Sequence, residues 1–458
     1  MSEHNSFTHG PLGQIFTKTA LPIIFVMSMN GLLTVVDAIF LGRYVGPDAL
    51  GAVTLIFPLY MLIVALATLV SNGMSSILAR HLGARDMPAS IATFTGAHGM
   101  ALFVSALLIL SYLLIGRPLT LALASGSVPL AGMAQTYLSI TAFMSPLAFI
   151  LAVNSDALRN EGRVGFMAAM SLLVSLSNIG FNYVLIALLG LGVAGSALGT
   201  AFAQLLTLVI IVGYRIGGHA QLHPRDLRLS LLGYGWTRIL ALGAPQSLNF
   251  IGIALGTTAV IAALQILDVP NYETTVSAYG MVTRVLTFMF LPLLGLTHAL
   301  QSIVGNNYGA QAWQRSDQSL RIGISVAFAY CVVAQTVLTI FPHAIGWWFV
   351  DNPAVVVEFS RILPLTVLML WLAGPTIIIA TYFQAIGSAS RAAILGLTKP
   401  YAFALPLTFV LPMMWGETGI WLAGPAAEIL MAILTFLVLM QSARALKLRR
   451  GLFAAPAT

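Results

Sequence analysis

The sequence predicts an all-α membrane protein of about twelve transmembrane helices, arranged as two pseudo-symmetric six-helix bundles, and three observations carry that reading. Of its 458 residues, 59% are hydrophobic and 8% charged, and the mean hydropathy is +0.93. A water-soluble domain carries about 25% charged residues, so this chain lacks the side chains to cover a wetted surface. Apolar runs of about twenty residues recur from end to end, each long enough to cross the ~30 Å hydrocarbon core as a helix. Short matches also repeat in order across one central polar segment. A transmembrane barrel does not fit. Its strands alternate polar and apolar over ~10 residues, and these runs are apolar on every face.

Residues 1–13 read as a polar N-terminal tail with no small-residue cleavage pattern. Hydropathy then places spans at 14–42, 50–79, 91–116, 132–158, 164–189 and 192–215. A polar linker follows at 217–237, holding His219, His223, Pro224, Arg225, Asp226 and Arg228. The second set lies at 238–266, 275–304, 319–342, 358–386, 391–414 and 418–442, and 443–458 reads as a C-terminal tail. The first lobe is thus 14–216 and the second 238–442. Proline interrupts many spans, and each removes a backbone hydrogen bond and permits a bend.

An even number of spans puts both termini on one side. Lys18, Arg80, Arg85, Arg159, Arg163, Arg215, Arg225, Arg228, Arg238, Arg315, Arg321, Arg391, Lys399, Arg444, Lys447, Arg449 and Arg450 fall at that face, 17 of the 21 basic residues. Arg43, Arg117 and Arg361 fall at the other, and Arg284 is embedded. The positive-inside rule makes this basic face cytoplasmic, with both termini inside. The net charge of +7 is therefore an orientation signal, and nucleic acid is not an expected partner. The expected partners are the lipid bilayer and a small organic solute, and the expected state is a monomer.

The repeat is carried by order and constant shift. Ala52, Ser76, Gly83 and Ala84 match Ala278, Ser302, Gly309 and Ala310 at a shift of 226 (309 − 83). Gly192, Gly195, Leu198 and Ala203 match Gly416, Gly419, Leu422 and Ala427 at 224 (416 − 192). Arg163 and Arg391 also pair. Copies of six spans share one orientation, so their axis runs along the membrane normal, a plan that places a solute cavity between rocking lobes.

Acids inside a bilayer are expensive and need a reason. Asp156 has one, an i,i+3 ion pair with Arg159. Asp37 has no basic residue within a helical turn and lies six residues before Arg43, ~9 Å inside the far face. Asn178 and Asn182 share one face of the fifth span, and Thr200 reaches the same depth on the sixth. Such a group could carry a proton, hold a hard cation such as Na⁺ through its oxygens, or simply join helices. Glu428, ten residues into the last span with Gln204 as its repeat-mate (428 − 204 = 224), is a second candidate for ion coupling, for a cationic substrate or for structure. Arg284 is expected to anchor its helix to carbonyls. Gln246, Asn249, Gln301, Asn306, Asn307 and Gln384 are candidate cavity-lining residues. Cys331, the only cysteine, allows no intrachain disulfide.

No Walker A sequence, His-Glu-x-x-His motif or Gly-x-Ser-x-Gly elbow occurs, so neither an enzyme nor a dedicated metal centre is expected. No cofactor is expected beyond a coupling ion.

Over nearly its whole length the chain resembles the multidrug and toxic compound extrusion (MATE) family. The matching stretches are Val36-Asp-Ala-Ile-Phe-Leu-Gly, Ala157-Leu-Arg-Asn-Glu-Gly-Arg, Asn178-Ile-Gly-Phe-Asn182 and Gly190-Leu-Gly-Val-Ala-Gly-Ser-Ala. Leu291-Pro-Leu-Leu-Gly-Leu and Gly305-Asn-Asn-Tyr-Gly-Ala are similar to its bacterial DinF/MepA-like branch. The resemblance implies a rocker-switch antiporter exporting amphiphilic, often cationic compounds against H⁺ or Na⁺. It also implies a coupling site in the first lobe at Asp37, Asn178, Asn182 and Thr200. Many relatives carry a second aspartate where this chain has Asn182, which favours H⁺ over Na⁺ here. A lipid or lipid-linked oligosaccharide flippase of the same superfamily is the alternative. It would need several basic residues in the central cavity, and Arg284 alone is legible there.

Overall fold

The computed structural model describes residues 5–124, 127–446 and 452. Lys447, Arg449 and Arg450 lie outside the described residues. Among those described the chain forms helices and no strand. Ten helices are long and apolar enough to span a membrane, and two bent pairs bring the number to twelve if each is one span. In chain order the first lobe holds α1 (Leu12–Phe40), α2 (Phe57–Gly83), α3 (Met87–Leu123), α4 (Val128–Phe143 with Ser145–Asn160), α5 (Val164–Leu188) and α6 (Gly192–Ile216). The second holds α7 (Trp236–Ile266), α8 (Tyr272–Gly309), α9 (Trp313–Ile340), α10 (Pro353–Thr366 with Leu370–Ala385), α11 (Ala389–Trp415) and α12 (Glu417–Leu446).

Two spans expected to be continuous are bent, by 49° in α4 and 51° in α10. In α4 the break at Met144 precedes Pro146, which has no N–H to give the preceding turn. In α10 the freed backbone finds a side chain instead. Gln335 of α9 donates to the Leu368 carbonyl (2.8 Å) and accepts from the Trp371 N–H (3.1 Å). Irregular backbone at membrane depth persists only where protein satisfies it. The span expected from residue 50 starts later, at Phe57, behind a short helix at Pro47–Leu55. Pro58, at the second position of α2, tolerates a helix start because its missing N–H would be unused there.

The tail and linker expected on the basic face are docked. Asn5 donates to Asn306 Oδ1 (2.8 Å), Phe7 is buried, and Arg315 donates to the carbonyls of Phe7 and Gly10. In the linker, Arg215 donates to the Leu222 carbonyl and is salt-bridged to Glu161 at 2.7 Å, while Glu161 also accepts from the Gln221 N–H. Trp236 Nε1 donates to the Gly96 carbonyl. The linker is strapped beneath the first lobe.

The lobes meet through α1 and α2 on one side and α7 and α8 on the other. Lipid gives helices no hydrophobic reason to associate, so close approach at small residues must supply the contact. Gly73 lies against the Ile239 carbonyl and Gly243 against that of Leu69. Gly83 lies against the Asn306 carbonyl and Gly309 against that of Arg80. This last pair is a symmetric crossing: 309 − 83 and 306 − 80 both equal 226, the repeat shift read from sequence. The second matched pair has the same logic. Gly192 and Gly416 both adopt the left-handed backbone (φ 56° and 57°), and Gly195 and Gly419 both sit on the backbone of the preceding span, at Leu185 and Leu411.

A Cβ at the crossing would strike backbone, so Gly83→Val and Gly309→Val should each destabilise the protein by about 1–3 kcal/mol, as overpacking does. Thermal unfolding of the purified variants in detergent checks this; unchanged midpoints for both would mean the crossing is looser than described.

Candidate functional site

Asp37 reaches the interior of the first lobe because α1 and α5 run parallel in fixed register. Ser175 donates to Asn30 (3.3 Å) and Asn182 donates to Asp37 (2.6 Å), pairs both separated by 145 residues. Asn30 and Asp37 are seven residues apart, two turns on one face, so the helices share two polar rungs ~10 Å apart. From the upper rung a hydrogen-bond chain runs onward. Asn182 Nδ2 donates to Asp37 Oδ1 and to Asn178 Oδ1 (3.2 Å), Asn178 donates to Thr200 Oγ1 (2.9 Å), and Thr200 donates to the Ser196 carbonyl (3.2 Å).

Asn178 and Asn182 are buried and Asp37 is half-buried. Among the described residues no lysine or arginine is salt-bridged to Asp37. Its hydrogen-bonded neighbour is a neutral amide. Asn182 Oδ1, by contrast, is buried without a partner. It faces Gly199, where a Cβ would collide with it. Sequence reasoning missed two phenols, Tyr60 of α2 and Tyr137 of α4, which lie within electrostatic reach of Asp37. It also missed the Asn30–Ser175 rung, although both are polar residues at helical spacing from the predicted site.

The remaining candidates fall elsewhere. Asp156 pairs with Arg159 at 2.7 Å. Gln301, Asn306, Asn307 and Gln384 do not line an open cavity; Gln301, Asn306 and Gln384 are buried in the seam between the lobes, and Asn307 is buried under the N-terminal tail, donating to the Phe7 carbonyl. Gln301 donates to Asn72 Oδ1 (3.0 Å) and Ser76 Oγ (2.8 Å), and Gln384 donates to Asn72 Oδ1 (2.6 Å). Arg159 donates to Ser75 and Ser302, and Ser302 donates to Asn160 Oδ1 (2.7 Å). This network runs from Asn72, eleven residues inside Gly83, to the basic face, so that half of the interface is closed. Gln246, Asn249 and Gln204 are half-buried, and Gln204 stands one turn beyond Thr200.

Arg284 is exposed. It continues the stripe Arg284, Phe288, Leu291 and Gly295, along which α8 meets α1 at Gly31 and Ile24. Beyond Phe288 the arginine is left uncovered, one turn past the last close contact. Glu428 is not alone. It is salt-bridged to Lys399. Lys399 was expected at the basic face, although the expected span 391–414 already held it; α11 begins at Ala389, so Lys399 lies ten residues in. At 1.5 Å per residue that is ~15 Å along the helix, near mid-bilayer.

A two-lobed helical bundle with a polar site buried in one lobe and a seam closed at one face is the architecture of a membrane transporter. The MatE family model matches the chain twice, at residues 22–184 and 247–410, and the chain belongs to this family of multidrug and toxic compound extrusion transporters. The two matches begin 225 residues apart (247 − 22), in step with the internal repeat. The chain is 24% identical over 442 residues to the FAD transporter of Shewanella oneidensis, covering 94% of this chain and 95% of that one. It is 23% identical over 448 residues to the multidrug export protein MepA of Staphylococcus aureus, with 94% of each chain covered. Among solved structures it is similar to the MATE multidrug transporter DinF-BH, solved in complex with a ligand, with a TM-score of 0.86 and 25% identity over 98% of this chain and 99% of that one.

The 2.6 Å bond from Asn182 to Asp37 should carry measurable energy. In a double-mutant cycle of Asp37→Ala and Asn182→Ala, thermal unfolding is expected to give a coupling of about 1.5–3 kcal/mol, the range for a hydrogen bond to a charged group. Zero coupling would show the contact to be incidental.

Proposed function

We propose that the protein is a secondary antiporter that exports small amphiphilic organic compounds in exchange for protons taken up at Asp37. The family supplies efflux. The single observation that supports the coupling role is the Asn182→Asp37 hydrogen bond, in a site where no cation among the described residues is paired with the acid. An amide serves both states of a carboxyl group. Its NH₂ donates to the carboxylate, as here. After a half-turn of the amide, its carbonyl can accept from the protonated acid. Asn182 Oδ1, buried and unpartnered, is the acceptor that such a turn would use. A second aspartate in that place, once ionised, could not donate to an ionised Asp37, and the two carboxylates together would favour a bound Na⁺. The residues present therefore favour H⁺.

Exchange requires that proton and substrate act in opposite senses on the equilibrium between two states of the lobes. One state is the arrangement described, closed along Asn72, Ser75, Arg159 and Gln301 at the basic face. By the charge distribution that face would be cytoplasmic, so this state would release solute outward. Breaking the network would open the other side. Relatives named for multidrug export and for FAD transport support small amphiphiles as the cargo class. The flippase alternative is less well supported, because holding a pyrophosphate would take several basic residues in the central cavity, and Arg284 and Lys399 are the embedded cations available.

Asp37→Asn should insert normally yet lose gradient-driven efflux of a fluorescent organic substrate from proteoliposomes; efflux at the wild-type rate would refute the assignment. Asn182→Asp should make efflux respond to an imposed Na⁺ gradient that the wild type ignores. An unaltered response would remove Asn182 as the determinant of ion choice.

A further inference from the structure

The second lobe carries a charge pair that the coupling site does not use. Lys399 and Glu428 come from α11 and α12, each about ten residues inside its helix, and their side chains are 29% and 9% exposed. The first lobe has no equivalent: α5 contains no charged residue between Val164 and Leu188, and the repeat-mate of Glu428 is the neutral Gln204. Fixed charges at mid-bilayer are costly, and their presence in one repeat only argues for a use specific to that lobe.

Three features say what that use is. Lys399 opens a π-helical turn, Lys399–Ala404, followed at once by Pro400. Such turns in α-helices gather at functional sites. Its ammonium has three donors, and Glu428 Oε1 takes one of them. Glu428 Oε2 is buried with no partner, so the carboxylate is sequestered in the bundle, while the Lys399 side chain is the more open member of the pair. A charge exposed to hydrocarbon would be unstable, so the open side of Lys399 must face a polar or wet space. The other embedded cation, Arg284, is also on this lobe and also uncovered.

We propose that Lys399 is the substrate-binding cation of the second lobe and takes the carboxylate or phosphate of an anionic amphiphile. Glu428 is the internal counterion against which that anion competes. This deepens the transport reading by naming the charge of the cargo, and it leaves Asp37 as the site of the proton. The two lobes then divide the work by sign: acid in the first, base in the second.

The test uses purified full-length protein in phosphatidylcholine nanodiscs and two probes with one fluorophore, dansyl-aspartate (anionic) and dansylcadaverine (cationic). Dansyl-aspartate should bind the wild type, and Lys399→Gln should weaken it at least tenfold with less than a twofold effect on dansylcadaverine. Glu428→Gln, which keeps the shape and removes the competing charge, should tighten dansyl-aspartate severalfold. A merely structural pair would show loss in both single variants. The double variant Lys399→Gln/Glu428→Gln leaves no unpaired charge and should fold and lose dansyl-aspartate. The idea is overturned if the wild type fails to bind dansyl-aspartate, if Lys399→Gln binds it unchanged, or if Glu428→Gln weakens it. Competition by added phosphatidylglycerol would identify the anion as a lipid headgroup, and its absence a free solute; both require the site. Failure here leaves proton-driven efflux through Asp37 standing, because that is read separately in proteoliposomes.

Discussion

A polar group inside hydrocarbon must find its partner within the protein, and most of this structure follows from that constraint. An unsatisfied amide or hydroxyl at membrane depth costs several kcal/mol. Gln335 therefore stitches the broken backbone of α10, and the buried pair Arg215–Glu161 holds the linker carbonyls and N–H groups at the basic face. The same rule makes the seam between the lobes polar. Asn72, Ser75, Gln301 and Arg159 can be buried there because they satisfy one another across it.

That choice of glue has a dynamic consequence. Where amides and hydroxyls around small residues hold the interface, those contacts can be exchanged for water. Their net hydrogen-bond energy is small, because water replaces each bond broken. Glycine crossings at Gly83 and Gly309 bring backbones close without interlocking long side chains. A seam of this kind suits lobes that separate and close again.

The repeat is respected in backbone and broken in chemistry. Gly83 with Gly309, Gly192 with Gly416, and Gly195 with Gly419 perform matching geometric tasks in the two halves. Asp37 has no acidic mate in α7, and Glu428 faces Lys399 where the first lobe has Gln204 and an uncharged fifth span. Symmetry of framework lets both lobes meet about one axis; the charges break it, with an acid beside an amide in one lobe and an embedded ion pair in the other.

Much of this was readable from the chain itself. Apolar run length set the number of spans, basic residues marked one face, and a constant shift exposed the repeat. Helical periodicity even aligned Asp37 with Asn178, Asn182 and Thr200, because these residues lie at one depth on neighbouring spans. Tertiary structure alone decided which helix faces meet. Gln301 and Gln384 looked like cavity residues until their partners, more than 200 positions away, closed over them. Lys399 was counted with the membrane-surface charges although the expected span 391–414 already held it, and only the packing of α11 on α12 set it against Glu428. Local sequence encodes the depth and face of a side chain along its own helix. The partner across the bundle depends on how whole helices cross, and that is settled only when all of them pack.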